Sequence, residues 1–443
     1  MRVIFCILSL YGKIGVAMIE EEPLNGFTGF ARKNHAQFQY SRDMEVAQAG
    51  AEIAFDESLL ASIAQTDRRW AWVEVNLEAI THNVLEARRR LQPGVQLMAV
   101  VKADGYGHGA VECAQTALQA GADQLGVATV DEAIRLREAG LSAPILLLSE
   151  PPASAIPLLL AHHITPSVYT IEFTLAYAEE ADRHNMKAPF HLALNTGMNR
   201  IGVRAEEALD FVRQISFHRA LVQLGTFTHF ATADSSDAID FNSQVRRFIN
   251  AISSLRNAGV DTGMVHAANS AALFRFSDVH FDMVRLGISM YGYHACEQTR
   301  GAVDLWPAME VKARITDVKT VPMSEGVSYG LHYRSPGSVK ICTVPLGYAD
   351  GLSRALSGKW DFILGGQFVR QVGTICMDQC MFEVDMRSFG SRPRLDPQVG
   401  DVVTIVGREG DAFTTLTDMA RTIGTIDYEI ACDFSLRMPR VYV

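Results

Sequence analysis

The sequence predicts an α/β protein in which a (β/α)8, TIM-like barrel is followed by a smaller C-terminal β-rich domain. Two observations support this fold class. Eight short apolar segments of strand type alternate with helical segments between residues 96 and 286. That many strands over about 200 residues favour a closed barrel over an open doubly wound sheet. After residue 293, runs rich in Val and Ile recur between Gly and Pro, which is typical of a β domain.

The chain begins with a predicted extension, residues 1–67, to which no chemistry is assigned and which we expect to be partly disordered. An apolar run at residues 3–11 faintly resembles a secretory signal, but Lys13 interrupts it. The run is also too short to cross a bilayer, which needs about 20 apolar residues. We therefore expect no membrane partner. The barrel is predicted over residues 68–300 and the β-rich domain over residues 301–443.

Local signals predict the elements in order. Residues 70–75 alternate like a strand, and Asn76 is predicted to cap a helix that runs to about Leu91. A Thr-Val-Asp-Glu capping box at residues 129–132 predicts another helix start. The predicted barrel strands cover residues 96–101, 124–128, 144–148, 164–168, 190–194, 221–228, 264–267 and 282–286. The β-rich domain is predicted to contain strands at 339–344, 368–372, 381–384 and 402–406 and a helix near 415–423.

Composition limits the classes of partner. Hydrophobic residues make up 48% of the 443 residues and charged residues 20%, as in ordinary water-soluble globular proteins. A formal net charge of −10 without a clustered basic run argues against a nucleic-acid partner. An anionic ligand must therefore be bound locally, by backbone N–H groups and a few side chains. Seven scattered cysteines without zinc-ligand spacing indicate reduced thiols in a cytoplasm and no metal site.

The most informative stretch, residues 99–110, places Lys102 at the end of a predicted buried strand. Burial disfavours the charged form of a lysine, and a neutral amine can condense with an aldehyde. Active sites of such barrels lie at the carboxyl ends of the strands, so the position of Lys102 predicts a functional role. The alternative for Lys102 alone is a solvated residue at the rim of the barrel.

A second alternative comes from the glycines that follow. Residues 105–110, Gly-Tyr-Gly-His-Gly-Ala, fit the G-x-G-x-x-A pattern of dinucleotide-binding proteins. In that pattern the first glycine directly follows the strand, whereas here three residues, 102–104, intervene. The dinucleotide interpretation therefore fits poorly.

Other polar residues follow later predicted strands. Arg200 is a candidate clamp for a carboxylate, because a guanidinium binds carboxylates through two hydrogen bonds. The alternative for Arg200 is a surface position, and the alternative for His229, after the next strand, is a hydrogen-bonded core histidine. Ser270, Gly287 and Ile288 follow the last two strands, where a hydroxyl and backbone N–H groups would suit a phosphate.

Taken as a whole, residues 99–110 resemble the lysine signature of the alanine racemases, which depend on pyridoxal 5'-phosphate (PLP). The resemblance extends from about Arg69 to the C-terminus and includes residues 425–429, Thr-Ile-Asp-Tyr-Glu. It implies that Lys102 carries PLP as a Schiff base, with Tyr106 beside it and His229 against the pyridine ring. The implied phosphate contacts are Ser270, Gly287, Ile288 and Tyr428.

The resemblance also implies that Arg285 faces the pyridine nitrogen of PLP. Arginine does not readily give up a proton, so the nitrogen would stay unprotonated. Many PLP enzymes have an aspartate there, which makes the ring a stronger electron sink. A weaker sink disfavours transamination and suits a racemase.

The β-rich domain carries the remaining matches. Residues 325–330, Glu-Gly-Val-Ser-Tyr-Gly, resemble the segment with the family's second base, here Tyr329. Racemisation requires a proton donor or acceptor on each face of the planar carbanion. In the family this tyrosine and the counterpart of Met377 serve the neighbouring subunit's lysine. The resemblance therefore implies a homodimer with shared active sites.

Further matches concern the substrate. Residues 346–351, which include Tyr348, resemble a segment of the substrate access channel, as does Asp234. Met377 and Asp378, in Cys-Met-Asp-Gln, resemble the segment that meets the substrate carboxylate, and Arg200 matches the family's clamp.

Two positions depart from the common family pattern. Ala193 stands where many members have a carbamylated lysine, and Asn195 stands where an aspartate is common. Both replacements are similar to those of broad-specificity racemases, which usually also have an export signal and a cysteine pair, neither evident here. The resemblance implies that Lys102 and the partner's Tyr329 interconvert L- and D-alanine, a small amino-acid substrate, in a cytoplasmic enzyme that supplies D-alanine for peptidoglycan. The alternatives are a broad-specificity or serine racemase, a decarboxylase of related architecture, and a PLP-binding protein without activity.

Overall fold

The computed structural model describes residues 6–10, 13–17, 64–385 and 394–443. Most of the extension predicted for residues 1–67 lies outside these ranges. Strands β1 (Cys6–Leu10) and β2 (Lys13–Ala17) pair antiparallel. Residues 64–443 form a compact unit of their own. None of the described helices is long and apolar enough to cross a bilayer.

The second unit begins with helix α1, strand β3 and helix α2. Helix α1 covers Gln65–Arg68, β3 covers Ala71–Val75 and α2 covers Leu77–Arg88. The Asn76 side chain accepts a hydrogen bond from the backbone N–H of Ala79, which confirms the predicted cap of α2. The helix ends slightly before the predicted Leu91.

Eight parallel strands form a closed barrel. The strands are β4 (Gln96–Val100), β5 (Gln124–Val127), β6 (Ile145–Leu147), β7 (Thr165–Val168), β8 (Ala188–Asn195), β10 (Leu221–Phe227), β11 (Met264–His266) and β12 (Met283–Leu286), with the short β9 (Val203–Arg204) beside β8. They pair in this order, with β8 next to β10, and β12 pairs with β4 to close the barrel. The predicted fold class is confirmed, and each predicted barrel strand overlaps an observed one.

Helices follow the barrel strands, as the alternation of segments predicts. They are α3 (Ala110–Gln119), α4 (Val130–Glu138), α5 (Ile156–Ala161), α6 (Ile171–Arg183), α7 (Ala208–Ile215), α8 (Ile239–Asn257) and α9 (Ser270–Arg275). The predicted capping box at the start of α4 is present, with reciprocal hydrogen bonds between Thr129 and Glu132. Because these helices cover the outside of the barrel strands, polar residues that follow the strands are free to meet at its mouth.

The β-rich part contains a second sheet and two helices. Its strands are β13 (Met309–Arg314), β14 (Asp317–Val321), β15 (Gly326–Val327), β16 (Tyr333–Arg334), β17 (Val339–Val344), β18 (Asp361–Leu364), β19 (Gln367–Val372), β20 (Cys380–Asp385), β21 (Val402–Glu409), β22 (Ala412–Thr414) and β23 (Arg440–Tyr442). The pair β15–β16 is separate from the large sheet. Helices α10 (Leu416–Ile423) and α11 (Asp427–Asp433) lie near the C-terminus.

Strand β3 belongs to this second sheet although it precedes the barrel in sequence. It pairs antiparallel with β13, where Val73 lies opposite Val311, and parallel with β23. The alternating pattern of residues 70–75 predicts the strand, but a local pattern carries no information on which strand pairs with it. The predicted domain limits, 68–300 and 301–443, stay a prediction.

The C-terminal segments reach the stretch that contains Lys102. The Arg440 guanidinium donates to the carbonyl oxygen of Gly107 from Nε (3.0 Å) and Nη2 (2.8 Å). A Cβ atom at Gly107 would lie 2.1 Å from the carbonyl oxygen of Ala431 in α11. Glycine at this position therefore permits α11 to pack against the carboxyl end of β4.

Candidate active site

A cavity of about 690 Å³ opens at the carboxyl ends of the barrel strands. Its lining contains the residues that the sequence predicts for the cofactor, together with one predicted for the substrate and one for the access channel. They are Lys102, Tyr106, Arg200, His229, Asp234, Ser270, Arg285, Gly287, Ile288 and Tyr428. The fold thus brings together residues from distant parts of the chain.

Lys102 lies two residues after the end of β4 and is partly buried. Burial, and then the positive charge of Arg200, lower the pKa of its ammonium group below the ordinary value. Its Nζ atom lies 5.9 Å from the ring centre of Tyr106. A lysine of this kind holds a larger neutral fraction near neutral pH, which is the form that condenses with an aldehyde.

Arg285, in β12, is buried and lines the cavity. Its Nη1 donates to Nδ1 of His266 (2.9 Å), and its Nη2 donates to the carbonyl oxygens of Thr228 (2.8 Å) and Ala267 (2.9 Å). No carboxylate of the described residues pairs with it. Burial, and then the charge of Arg200, lower the pKa of Arg285 to about 9.

Two buried histidines, His266 and His191, form a chain of hydrogen bonds that ends at Arg285. A guanidinium only donates, so Nδ1 of His266 must accept and its Nε2 must carry the proton. That Nε2 donates to Nδ1 of His191, 2.9 Å away. A Cβ atom at Gly225 would lie 2.6 Å from this Nδ1, so the glycine makes room for the imidazole.

Sequence reasoning missed His191 and His266 because neither belongs to a motif. Both lie inside barrel strands, β8 and β11, among apolar neighbours. The available signal is a polar residue within an otherwise apolar strand, since such a residue needs a hydrogen-bonding partner in the barrel interior.

His229 lies beside Arg285, with 3.2 Å between its Nδ1 and Nη2 of the arginine. Burial, and then the charge of Arg285, lower the pKa of His229 to about 3. The imidazole is therefore neutral at physiological pH. A neutral, flat ring in this position suits packing against an aromatic ligand.

Hydrogen-bond donors collect on another side of the cavity. The Ser270 hydroxyl accepts from the backbone N–H of Gly287 (3.0 Å) and retains its own proton to donate. A Cβ atom at Gly287 would lie 2.9 Å from the Tyr106 hydroxyl, so glycine keeps this space open. Burial raises the pKa of Tyr106 and of Tyr428, whose rings lie 6.1 Å apart, and both remain donors. Such a set suits a phosphate.

The loop that carries Arg200 is shaped by Asn195. The Asn195 side-chain oxygen accepts from the backbone N–H groups of Gly197 (3.1 Å) and Asn199 (3.0 Å). Ala193 is buried, with 2% of its surface exposed, and lines the cavity. Within the described residues Arg200 forms no ion pair, and it lines the cavity together with Lys102 and Arg285.

Four predicted site residues, Tyr329, Tyr348, Met377 and Asp378, do not line the cavity of this chain. Tyr329 is 74% exposed and Met377 is 52% exposed. The backbone links their segments, because the N–H of Tyr348 donates to the carbonyl of Cys376 (3.0 Å) and Thr374 donates to that of Tyr329 (3.0 Å). These four residues thus occupy an exposed region of the β-rich part, and their roles stay a prediction.

Comparisons with known proteins agree with this geometry. The family model "Alanine racemase, N-terminal domain" matches residues 75–295, and "Alanine racemase, C-terminal domain" matches residues 308–442. An alanine racemase of Synechocystis sp. is 42% identical over 377 residues, which is 85% of this chain and 100% of that protein. The crystal structure of alanine racemase from E. faecalis has a TM-score of 0.79 at 38% identity and covers 85% of this chain and 99% of its own. That from Bacillus anthracis has a TM-score of 0.79 at 36% identity, with 85% and 95% coverage.

Proposed function

Because the chain belongs to the alanine racemase family, and is therefore an enzyme of the isomerase class, we propose that it interconverts L-alanine and D-alanine with PLP as cofactor. The observation that carries the proposal is that one cavity is lined both by Lys102, a lysine of lowered pKa near a strand end, and by the buried Arg285. A lysine, a neutral imidazole and a set of hydrogen-bond donors for a phosphate are groups that suit PLP.

Bound PLP supplies an electron sink that lets the α-proton of an amino acid leave. The chain offers a partner for each part of the cofactor. Lys102 would hold its aldehyde carbon, His229 would pack against its ring, and Arg285 would donate to its ring nitrogen. The phosphate would be bound by Tyr106, Ser270, Gly287, Ile288 and Tyr428.

The surroundings of Arg285 support a weak electron sink. Its hydrogen bonds to His266 and to two backbone carbonyls hold the guanidinium as a donor, and no carboxylic acid stands in its place among the described residues. A guanidinium does not transfer its proton to the ring nitrogen. With an unprotonated ring nitrogen, less of the negative charge left by the α-proton would spread into the ring. The α-carbon would therefore regain a proton rapidly, which limits transamination.

Two groups would move the proton. Nζ of Lys102 would remove or return the α-proton on one face of the substrate, and its lowered pKa favours the neutral form that this step requires. The hydroxyl of Tyr329 of the partner subunit would do the same on the opposite face. Arg200 and the partner subunit's Met377 and Asp378 segment would hold the carboxylate, while Asp234 and the partner subunit's Tyr348 would line the access channel.

The shared site requires a homodimer, which the exposure of Tyr329 and Met377 supports. Tyr329, Tyr348 and Met377 are all exposed in linked segments of the β-rich part, and apolar side chains exposed together mark an interaction surface. We further propose that the enzyme acts in the cytoplasm and that its D-alanine supplies peptidoglycan synthesis.

A broad-specificity racemase is the second candidate, and Ala193 is the observation that favours it. The small side chain lines the cavity where a longer one would narrow it, close in sequence to Arg200. Alanine at this position also leaves Arg200 without the negatively charged neighbour that a carbamylated lysine would provide.

Exchange of α-protons for deuterium distinguishes these functions. We would supply L-alanine, L-serine, L-lysine and L-arginine separately to the wild type and to Lys102→Ala with added PLP. Exchange with inversion for alanine alone, lost in the variant, is the expected result. Exchange with the basic amino acids would establish broad specificity, and no exchange with any substrate despite bound PLP would contradict racemase activity.

A further inference from the structure

The capping box of α4 makes contacts beyond its own helix. Oε2 of Glu132 accepts from the backbone N–H of Thr129 (3.1 Å), as a capping box requires, and from that of Ala128 (2.7 Å). Oε1 accepts from the N–H of Ala103, 2.7 Å away, which is the residue after Lys102. One carboxylate therefore connects the carboxyl ends of β4 and β5.

The segment that Glu132 reaches has an uncommon backbone. Ala103, Asp104, Gly105 and Tyr106 have φ angles of 52°, 51°, 64° and 52°, a continuous left-handed turn. Residues with a side chain rarely adopt this conformation because Cβ crowds the backbone. Such a conformation persists only where the surrounding structure holds it.

Helix α4 supplies two external restraints on this turn. Besides the bond from Glu132 to Ala103, Nη1 of Arg135 donates to Oδ1 of Asp104 (2.9 Å). The same Asp104 oxygen accepts from the N–H of Ala110 at the start of α3 (3.1 Å). The two α4 residues are three apart and thus share one face of the helix. The face points toward the turn that follows Lys102.

We propose that Glu132 is a positioning residue that holds the left-handed turn after Lys102 and thereby fixes where the lysine amine is presented to the cavity. The inference rests on the proposed function of Lys102 but concerns contacts within the chain itself. The negative charge of Glu132 also raises the pKa of Lys102, opposing burial and Arg200. Glutamine has a single acceptor oxygen, so it would retain only part of the contacts.

Thr129 provides a matched control. Its hydroxyl accepts from the backbone N–H of Glu132 (3.3 Å), so Thr129→Ala weakens the same helix cap without removing the bond to Ala103. Glu132→Ala removes the other half of the capping box, the bond from the N–H of Thr129, together with the bond to Ala103. Glu132→Gln keeps the size of the side chain and serves if the alanine variant fails to fold.

The test is hydrogen exchange of residues 102–109, with kinetics measured alongside. In Glu132→Ala we expect the amide of Ala103 to exchange about 10-fold faster or more. We expect kcat for alanine to fall about 10- to 100-fold, with little change in KM, because the base is misplaced. Glu132→Gln should show smaller effects of both kinds, and Thr129→Ala should show neither.

Equal effects of Thr129→Ala and Glu132→Ala would overturn the proposal, because helix capping alone would explain them. Unchanged exchange at Ala103 in Glu132→Ala would also overturn it. If the wild type does not racemise any amino acid, the proposed function fails, while the exchange data still decide the role of Glu132.

Discussion

The surroundings of Lys102 shift the pKa of its amine in opposite directions. Burial and the nearby Arg200 favour the neutral amine, whereas Glu132 favours the ammonium form. The neutral form prevails at a lower pH than for an exposed lysine because burial is the largest of these effects. A larger fraction of Lys102 is therefore available as a base than of an exposed lysine at the same pH.

The charge of Arg200 can be tested through the pH dependence of Lys102 acylation in cofactor-free protein. Because only the neutral amine reacts, a lowered pKa places the midpoint of the labelling curve below that of the same lysine in urea-unfolded protein. Arg200→Ala removes the second-largest cause of the shift, so the midpoint should rise. Arg204→Ala, which removes an exposed arginine, should leave it in place. A midpoint unaffected by Arg200→Ala would contradict the claim that the charge of Arg200 lowers the pKa of Lys102.

At the scale of elements, close packing of α11 against the lysine segment closes one side of the site. Gly107 has a φ of 79°, and a Cβ there would lie 2.1 Å from the carbonyl of Ala431. Both the backbone conformation and the lack of space require glycine. The packing also brings Tyr428, in α11, to the cavity.

Gly107→Ala should therefore destabilise the protein by about 3 kcal/mol or more and weaken PLP retention, since α11 must move. Gly94→Ala is the control, because Gly94 has a similar φ of 89° but nothing within 4 Å of its Cβ position. It should cost only about 1 kcal/mol. Urea unfolding and the visible absorbance of lysine-bound PLP measure the two effects. Equal losses in both variants would show that space beside α11 is unimportant.

The sequence predicts elements better than it predicts their partners. Short apolar segments alternating with helical ones are sufficient to predict the eight barrel strands, because a buried strand consists mainly of apolar residues. The placement of β3 in the second sheet was not predictable, because pairing with β13 and β23 depends on residues more than 200 positions away. The end of a strand indicated Lys102 and the family resemblance indicated Arg285, whereas His191 and His266 belong to no motif and gave no comparable signal.

At the scale of the whole molecule, the site is a local exception to the overall charge. The chain has a formal net charge of −10, yet Lys102, Arg200 and Arg285 line one cavity. Three cations close together repel one another, which is consistent with the lowered pKa values of Lys102 and Arg285. A phosphate and a carboxylate would neutralise this charge, so cofactor and substrate should stabilise the fold.

The exposed position of Tyr329 means that the proposed mechanism involves two chains. In one chain the tyrosine lies away from the cavity lining, and its backbone is held by Thr374. A second copy must therefore supply the second base if the proposed mechanism is correct. Because the dimer would be two-fold symmetric, each chain would give its tyrosine to the other and receive one in return.

Complementation between two inactive variants tests this central claim most directly. Lys102→Ala and Tyr329→Phe would each be inactive alone, but a mixed dimer would contain one site with both native groups. After co-expression at equal levels, we expect about a quarter of the wild-type racemisation rate per site, because half of the dimers are mixed. Activity no greater than the sum of the two separate variants, despite formation of mixed dimers, would contradict a site shared between subunits.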